Sequence, residues 1–494
     1  VRMTWAYKTK RDGTLKSRLC VQGCSQIAGV DYDQTHCATL RPGSLRALTA
    51  LAAGLGLRMR RWDFASAYLQ GSLEDGEVVY CSPPPGYADV DEDGNSRLGS
   101  DGKPRILRVV KPIYGMAQAG RRWQRSLFPW LLDSKRGFTQ LASDKCVFVR
   151  TEKRQTPAGE RTEHLLVGCY VDDLCVLYSH DDEYSLYREF TTSLTASWEV
   201  DDEGDVADLL NIDIAREGRA VVLRQRTYIK KMVKEHLPEG VPNTLPSNQA
   251  PADSSLPQLV SDALVSKDKS DPALIKRYQS LVGALLYAST QTRPDIAYSV
   301  GMLCRAMSCP TPELYEQAIR VLLYLDKHPE VGLRYEPSAS RMYGMSDSDW
   351  AVKHSTSGWV FTFMRAAISW GSKKQPVVSL SSCEAEIMAA SEAAKEALHL
   401  RALLDELGVP TRDEPTHLSM DNQSAIAVAY NPEHHGRMKH VERRHYFVRE
   451  CVENNQLVVP FVSTHENMAD FFTKPLPPKL FFPLRDRIMN VPSS

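Results

Sequence analysis

Two unbroken apolar runs flank a pair of acids in LLVGCYVDDLCVLY, residues 165–178. Apolar and β-branched residues on both sides predict two buried strands, and Asp172 and Asp173 fall where a tight turn should join them. A second stretch, RRWDFASAYLQG at residues 60–71, sets Asp63 inside an apolar, aromatic run, where an unpaired acid is expensive. Helical spacing of apolar residues predicts a helix over 44–57, with Leu45, Leu48, Leu51 and Ala52 on one face. It predicts another over 123–132 that buries Trp123, Leu127, Trp130 and Leu131 and kinks at Pro129. Further helices are expected over 182–198, from 224 to 233, over 277–307 with a break at Pro294, and over 311–328.

From residue 332 the pattern changes. Strand-like runs at 341–346, 358–364 and 367–370 precede a long helix over 382–407. A strand at 417–420 then leads into a helix over 422–430, and a basic helix over 440–453 precedes a strand at 457–463. Strands before helices in this order predict a mixed sheet with helices on its faces. Segments 89–104 and 239–271 are polar, rich in Gly, Pro, Ser or Asp and without periodicity; they are read as an exposed insertion and a linker or exposed loop. The segment DGTLKSRLCVQG reads as strand–turn–strand, with Asp12-Gly13 as its hairpin signal.

At 494 residues the chain is too long for one core, so two to four domains are expected. With 43% hydrophobic and 24% charged residues it has an ordinary globular composition. A net charge of −1 gives no global attraction to a polyanion, so nucleic-acid binding would rest on local basic patches. Eleven Cys lack a disulfide-like or zinc-like framework and are read as reduced thiols. The longest apolar stretch, 48–57, is too short to span a bilayer. The chain starts at Val1 rather than Met, which suggests a fragment or a piece processed from a longer polyprotein.

Adjacent carboxylates repel and lose hydration at a sheet edge, and a divalent cation with oxygen ligands relieves both costs. An acid on one strand opposite an acid pair in a hairpin suits phosphoryl transfer, in which two ions about 3.5–4 Å apart serve the attacking and leaving oxygens. Four further acids fall at strand ends or helix starts in the C-terminal part. They are Asp347 in MSDSDW, Glu386 in SSCEAE, Asp421 in SMDNQSA and Asp470 in HENMADFF. Acids from separate elements at an edge of one sheet again suit a two-metal site. Asp349 and Glu384 compete for the places of Asp347 and Glu386.

These motifs carry a resemblance. YVDD and WDFASAYLQG are similar to the palm hairpin and first metal-binding strand of reverse transcriptases. KSRLCVQG, KPIYGMAQAGRRW, SDSDW, SLSSCEAE, DNQSAIA and MADFFTKPLP resemble copia-type long-terminal-repeat retrotransposons along nearly the whole chain. The resemblance implies an α+β and α/β multidomain protein: a right-hand polymerase of fingers, palm and thumb, then a ribonuclease H-like mixed-sheet domain. It divides the chain into a polymerase (1–240), a linker and helical connection (241–340), a ribonuclease H-like domain (341–478) and a tail (479–494).

It also implies RNA- and DNA-templated DNA synthesis coupled to degradation of the RNA strand of a hybrid. Asp63, Asp172, Asp173, Asp347, Glu386, Asp421 and Asp470 would hold Mg²⁺, with Mn²⁺ a substitute. Lys16 and Arg18 would face the nucleotide or template, Gln118 the incoming nucleotide, and Arg121 or Arg122 its phosphates. Tyr68 would wall off the 2′-hydroxyl, a steric preference for deoxynucleotides. Basic residues in 434–450, among them Arg437, Lys439, Arg443 and Arg444, would grip the hybrid through phosphates and shape. Expected partners are an RNA template, a DNA primer, the RNA–DNA hybrid and deoxynucleoside triphosphates, with no membrane. The expected location is cytoplasmic, in a virus-like particle, or nuclear. The resemblance leaves the oligomeric state open. Asn211 stands where the family usually has Gly, a mild change because Asn tolerates unusual backbone angles. The rival reading is a nucleic-acid-binding protein that kept this fold without its catalysis.

Overall fold

The computed structural model describes residues 1–9, 13–87, 89–95, 97–103, 105–241, 248–266, 270–350, 354–430 and 442–492, with backbone alone for 442–446. The chain forms two compact units. One comprises Val1–Leu40 and Arg58–Asp205, the other Arg41–Leu57 and Val206–Ser494.

The first unit is built on a six-stranded antiparallel sheet. Its order is Val200–Asp205, Arg58–Phe64, Asp173–Tyr178, Gly159–Tyr170, Val147–Thr156, Thr139–Gln140. The two apolar runs of residues 165–178 become the central hairpin. Cross-strand pairs from Leu165 and Tyr178 to Tyr170 and Asp173 bring its arms together. The turn differs by one position from the expectation. Val171 and Asp172 form it, and Asp173 already belongs to the returning strand. Val171 has φ +57° in a two-residue loop, a left-handed conformation usually filled by glycine and strained for a β-branched residue.

Helix Ala119–Leu132 runs past Pro129 and buries Trp123, Leu127 and Leu131. Trp130, expected inside, is half-buried, with the Arg136 guanidinium over its ring at 3.9 Å. Strands Met3–Thr9 and Leu15–Val21 pair antiparallel, Thr9 against Leu15, while Asp12 of the expected turn lies outside the described residues. The strand Val200–Asp205 was not predicted, because VDDEGD has little β propensity. It is held by pairing with Arg58–Phe64, including an ion pair from Arg60 Nε to Asp202 Oδ1 at 2.7 Å.

The second unit carries two sheets. One is antiparallel, in the order Asp208–Leu209, Ile212–Glu217, Ala220–Arg224, Leu333–Tyr335. Its first hairpin turns through Leu210 and Asn211, at φ +55° and +57°. An asparagine suits the second place, as the sequence implied. The other sheet has the order Ala366–Lys374, Thr356–Phe363, Tyr343–Ser348, Thr416–Ser419, Leu457–Val458. Its first three strands are antiparallel and its last three parallel. Helix Ser382–Glu406 packs on it, with an unbroken buried run of Glu384 to Ser391.

Helices Pro272–Gln291, Ala297–Cys304 and Pro312–Lys327 follow the predicted periodicity, including the break at Pro294. Arg293 and Asp295 at that break are fully buried and paired at 2.7 Å, and Tyr324 donates to Asp295 Oδ2 at 2.8 Å. One expectation is corrected here. Residues 239–271 hold a helix, Leu256–Val265, that buries Leu256, Val260 and Ala263. The tail forms a helix, Pro478–Met489, which buries Phe481, Ile488 and Met489. Among the described residues, no helix is long and apolar enough to cross a membrane.

Candidate active sites

Strand Arg58–Phe64 alternates its faces. Trp62 and Phe64 point into the core, so Asp63 must point to the other side. There it lies directly opposite Asp173 on one neighbouring strand and opposite Asp201 on the other. Asp172 follows from the same register, since Phe64 N donates to Asp172 O at 2.9 Å. The structure therefore brings Asp63, Asp172 and Asp173 to one end of the sheet. Asp201 is a neighbour that sequence reasoning missed. Its acidic run VDDEGD was the available signal.

Electrostatics report the crowding. Burial pushes Asp63 up to about 6, reinforced by the carboxylates of Asp173 and Asp172 and opposed by Arg61. Arg61 Nε donates to Asp173 Oδ1 at 2.8 Å. The turn is held from beneath. Trp123 Nε1 donates to Val171 O at 2.6 Å, and the indole packs edge-on against Phe64 at 4.8 Å and Trp198 at 5.2 Å. Trp123 was expected only as a core residue.

The other polymerase residues divide. Tyr68 is half-buried, packs against Tyr114 with the rings tilted at 48° and their centroids 4.7 Å apart, and its pKa is raised by burial first and then by Asp172. Arg18 reaches over the same Tyr114 ring at 4.7 Å. Arg18 and Tyr68 thus share one aromatic wall. Lys16 is exposed on the hairpin strand, paired in register with Lys8.

Gln118 is a correction. It is fully buried, accepts from Gln26 Nε2 at 3.1 Å, and donates to Asp31 O at 3.1 Å and Glu77 Oε1 at 2.7 Å. A buried amide so engaged has no face left for a nucleotide. Arg122, weighed as a phosphate contact, is likewise buried and paired with Glu74 and, at 2.8 Å, with Glu77. Arg121 donates to His36 O at 3.2 Å and to Gln34.

The second cluster forms on the mixed sheet. Strand Tyr343–Ser348 carries Asp347 one residue before its end, and parallel pairing with Thr416–Ser419 brings Asp421 beside it. Asp470 arrives on a short 3-10 helix, Met468–Phe472. Gly358, the register partner of Asp347, makes room for that turn. A Cβ there would stand 2.6 Å from Thr473 Cγ2 and 2.9 Å from Ala469 O. One carboxylate oxygen each of Asp347, Asp421 and Asp470 lies within 4.8 Å of the others.

Glu386 joins from the long helix, where its Oε1 accepts from Ser348 N at 3.4 Å. Its competitor Glu384 is spent on the helix start, accepting from Leu380 N at 2.7 Å. Asp349 is bound by the backbone and hydroxyl of Thr356. Thr464 donates to Asp421 at 2.8 Å, Thr473 donates to Asp347, and Lys474 pairs with Asp470 at 2.8 Å. Burial, then the carboxylate of Asp470, pushes Asp347 well up; burial, then Asp347 and Asp421, pushes Glu386 well up.

Glu386 Oε2 and Asp470 Oδ1 are buried with no hydrogen-bond partner. Orphaned carboxylate oxygens beside a carboxylate triad are the donor set a hard divalent cation needs. The residues present therefore fit such an ion. Arg437 and Lys439 lie outside the described residues. Arg443 and Arg444 fall in helix Glu442–Glu453, but their side chains lie outside the description.

The model of the reverse transcriptase (RNA-dependent DNA polymerase) family matches residues 1–248, and the chain belongs to that family. It is 31% identical over 489 residues to the retrovirus-related Pol polyprotein from transposon TNT 1-94 of Nicotiana tabacum, covering 97% of this chain and 34% of that protein. It is 32% identical over 505 residues to the retrovirus-related Pol polyprotein from transposon RE1 of Arabidopsis thaliana, covering 100% of this chain and 32% of that one. The chain thus spans about a third of the length of these relatives. Among solved structures, the foamy viral protease-reverse transcriptase dRH in complex with double-stranded DNA aligns over 93% of this chain and 64% of its own, at 10% identity and a TM-score of 0.48.

Proposed function

We propose that this chain is an RNA-directed and DNA-directed DNA polymerase coupled to a ribonuclease that degrades the RNA strand of an RNA–DNA hybrid. The reading rests on one observation above all: a single chain carries two separate carboxylate clusters, one on each compact unit. Asp63, Asp172 and Asp173 would hold divalent ions in the polymerase. Asp347, Glu386, Asp421 and Asp470 would hold them in the ribonuclease. Mg²⁺ is the expected ion, with Mn²⁺ able to replace it. Bound there, such ions polarise phosphoryl oxygens and lower the pKa of a hydroxyl or water.

The chain's own groups do the positioning. Trp123 fixes the hairpin turn through Val171 O, so that Asp172 and Asp173 stay beside Asp63. Tyr68 and Arg18, sharing the Tyr114 wall, would face the sugar and triphosphate of an incoming deoxynucleotide. Lys16, on the exposed hairpin, would follow the template or nucleotide phosphates. Asp421, held by Thr464, and Asp347, held by Thr473, would face the scissile RNA phosphate. The partners are an RNA template, a DNA primer and their hybrid, which fits descent from a Pol polyprotein. The test is primer extension on an RNA template with Mg²⁺, comparing wild type with the double variant Asp172→Asn, Asp173→Asn. Extension by wild type alone is expected. Equal extension by both ends the proposal, and none by either favours the rival binding protein.

A further inference from the structure

The C-terminal acid cluster already holds a cation of its own. Lys474 Nζ lies 2.8 Å from Asp470 Oδ2, and its charge also acts on Asp347 and Asp421. The ion pair is partly buried, with the lysine side chain 42% exposed and the aspartate 10%. Asp470 does not need the lysine to find its place. Asn467 Nδ2 donates to Ser346 O at 3.2 Å and Asn467 Oδ1 accepts from Ala469 N at 3.0 Å, which fixes the turn by its backbone. The close approach of that turn to Gly358 fixes it again. What Lys474 adds is therefore charge, delivered to a site where several carboxylates crowd together and two of their oxygens have no hydrogen-bond partner.

We propose that Lys474 is a resident counter-ion of this cluster and competes with divalent cations for Asp470. With no ion bound, its ammonium offsets the mutual repulsion of Asp347, Asp421 and Asp470. A divalent ion that enters must overcome that positive charge, so Lys474 sets the ion concentration at which the site loads. Lys474 is a positioning and tuning residue here. The inference rests on reading the cluster as a metal site.

Calorimetric titration of the full chain with Mn²⁺, without nucleic acid, tests it. Wild type, Lys474→Met, Lys474→Arg and Asp421→Asn are compared. An opposite charge within about 4–6 Å changes occupancy by about one to three decades when buried, and less for a side chain this exposed. Lys474→Met should bind Mn²⁺ about tenfold more tightly than wild type, and Lys474→Arg within about twofold of it. Asp421→Asn should lose the corresponding heat. Equal or weaker affinity in Lys474→Met, with Asp421→Asn still losing the heat, overturns the role of Lys474 and leaves the metal site standing. Heat unchanged by Asp421→Asn defeats the metal-site reading itself, and this inference with it. A second measurement needs no variant. Reductive methylation of Lys474 in wild type, followed by mass spectrometry, should be several-fold faster with saturating Mg²⁺ than in chelator. Labelling that stays level or slows contradicts the proposal.

Discussion

Asp63 and Asp173 stand directly opposite each other on adjacent antiparallel strands, with Asp201 opposite Asp63 on its other side. Like charges in direct cross-strand register destabilise a sheet. The arrangement therefore costs stability in the metal-free protein. Asp63→Asn is expected to raise the melting temperature in chelator at pH 8 by a degree or more, and to remove the stabilisation that Mg²⁺ gives this unit. Differential scanning calorimetry with and without Mg²⁺ measures both. A lower melting temperature in chelator would mean that Asp63 is held by favourable contacts instead.

The pH dependence has a definite sign. Asp63 is raised by burial and by its acid neighbours to about 6, against about 3.9 for a free aspartate. Asp347 and Glu386 are raised further, by burial first. A group with a raised folded-state pKa binds more protons in the native state than in the unfolded one. Its contribution is complete below the unfolded value and is lost as pH rises through the folded value. The metal-free protein should therefore lose stability from about pH 4 to about 6 through Asp63, on to about 7 through Asp347, and up to about 9 through Glu386. Saturating Mg²⁺ should flatten the neutral-pH part of the curve, because ions replace the protons. Melting temperatures from about pH 4 to about pH 9.5, in chelator and in Mg²⁺, check this.

Gly358 is predicted to matter for one reaction only. A methyl group there would meet Thr473 Cγ2 at 2.6 Å, Ala469 O at 2.9 Å and Phe472 Cβ at 3.0 Å. Backbone cannot yield as a flexible side chain can, so the turn carrying Asp470 must move. Gly358→Ala should cost about 1–3 kcal/mol of stability. Hybrid cleavage should fall by at least about a hundredfold, while primer extension stays within twofold. A gel assay of both products on one hybrid substrate separates the two effects.

Trp123 offers the complementary test. Trp123→Phe keeps most of the ring contacts with Phe64 and Trp198 but removes the donor to Val171 O. A lost hydrogen bond of this kind costs about 0.5–1.5 kcal/mol. Val171 has an unfavourable φ of +57°, so its turn relies on such anchoring. Primer extension should drop about tenfold, with hybrid cleavage unchanged. Full retention of extension would show that the turn holds itself.

Much of this was legible in the sequence, for reasons that differ by element. The hairpin around Asp172 was visible because two apolar runs bracket two acids, and Asp63 because an acid inside WDFASAY has no other use. The turn fell one residue early because Val171, a β-branched residue, accepts a conformation that propensity assigns to glycine. Strand Val200–Asp205 was hidden because its stability comes from Arg58–Phe64 and not from its own residues. Helix Leu256–Val265 was masked by the Pro- and Ser-rich residues that flank its short apolar stripe. Gln118 was misplaced because a motif gives the position of a residue but not the direction of its side chain. Gly358 and Arg61 act through contacts with residues distant in the chain, which no local pattern records.

Under the proposed function, two independent carboxylate clusters drive two reactions. The most direct test gives a labelled RNA template annealed to a labelled DNA primer to three proteins: wild type, the variant Asp172→Asn, Asp173→Asn, and the variant Asp421→Asn. Wild type should extend the primer and shorten the RNA, the first variant should only shorten RNA, and the second should only extend DNA. Loss of both reactions in either variant, with the fold intact by calorimetry, would contradict it.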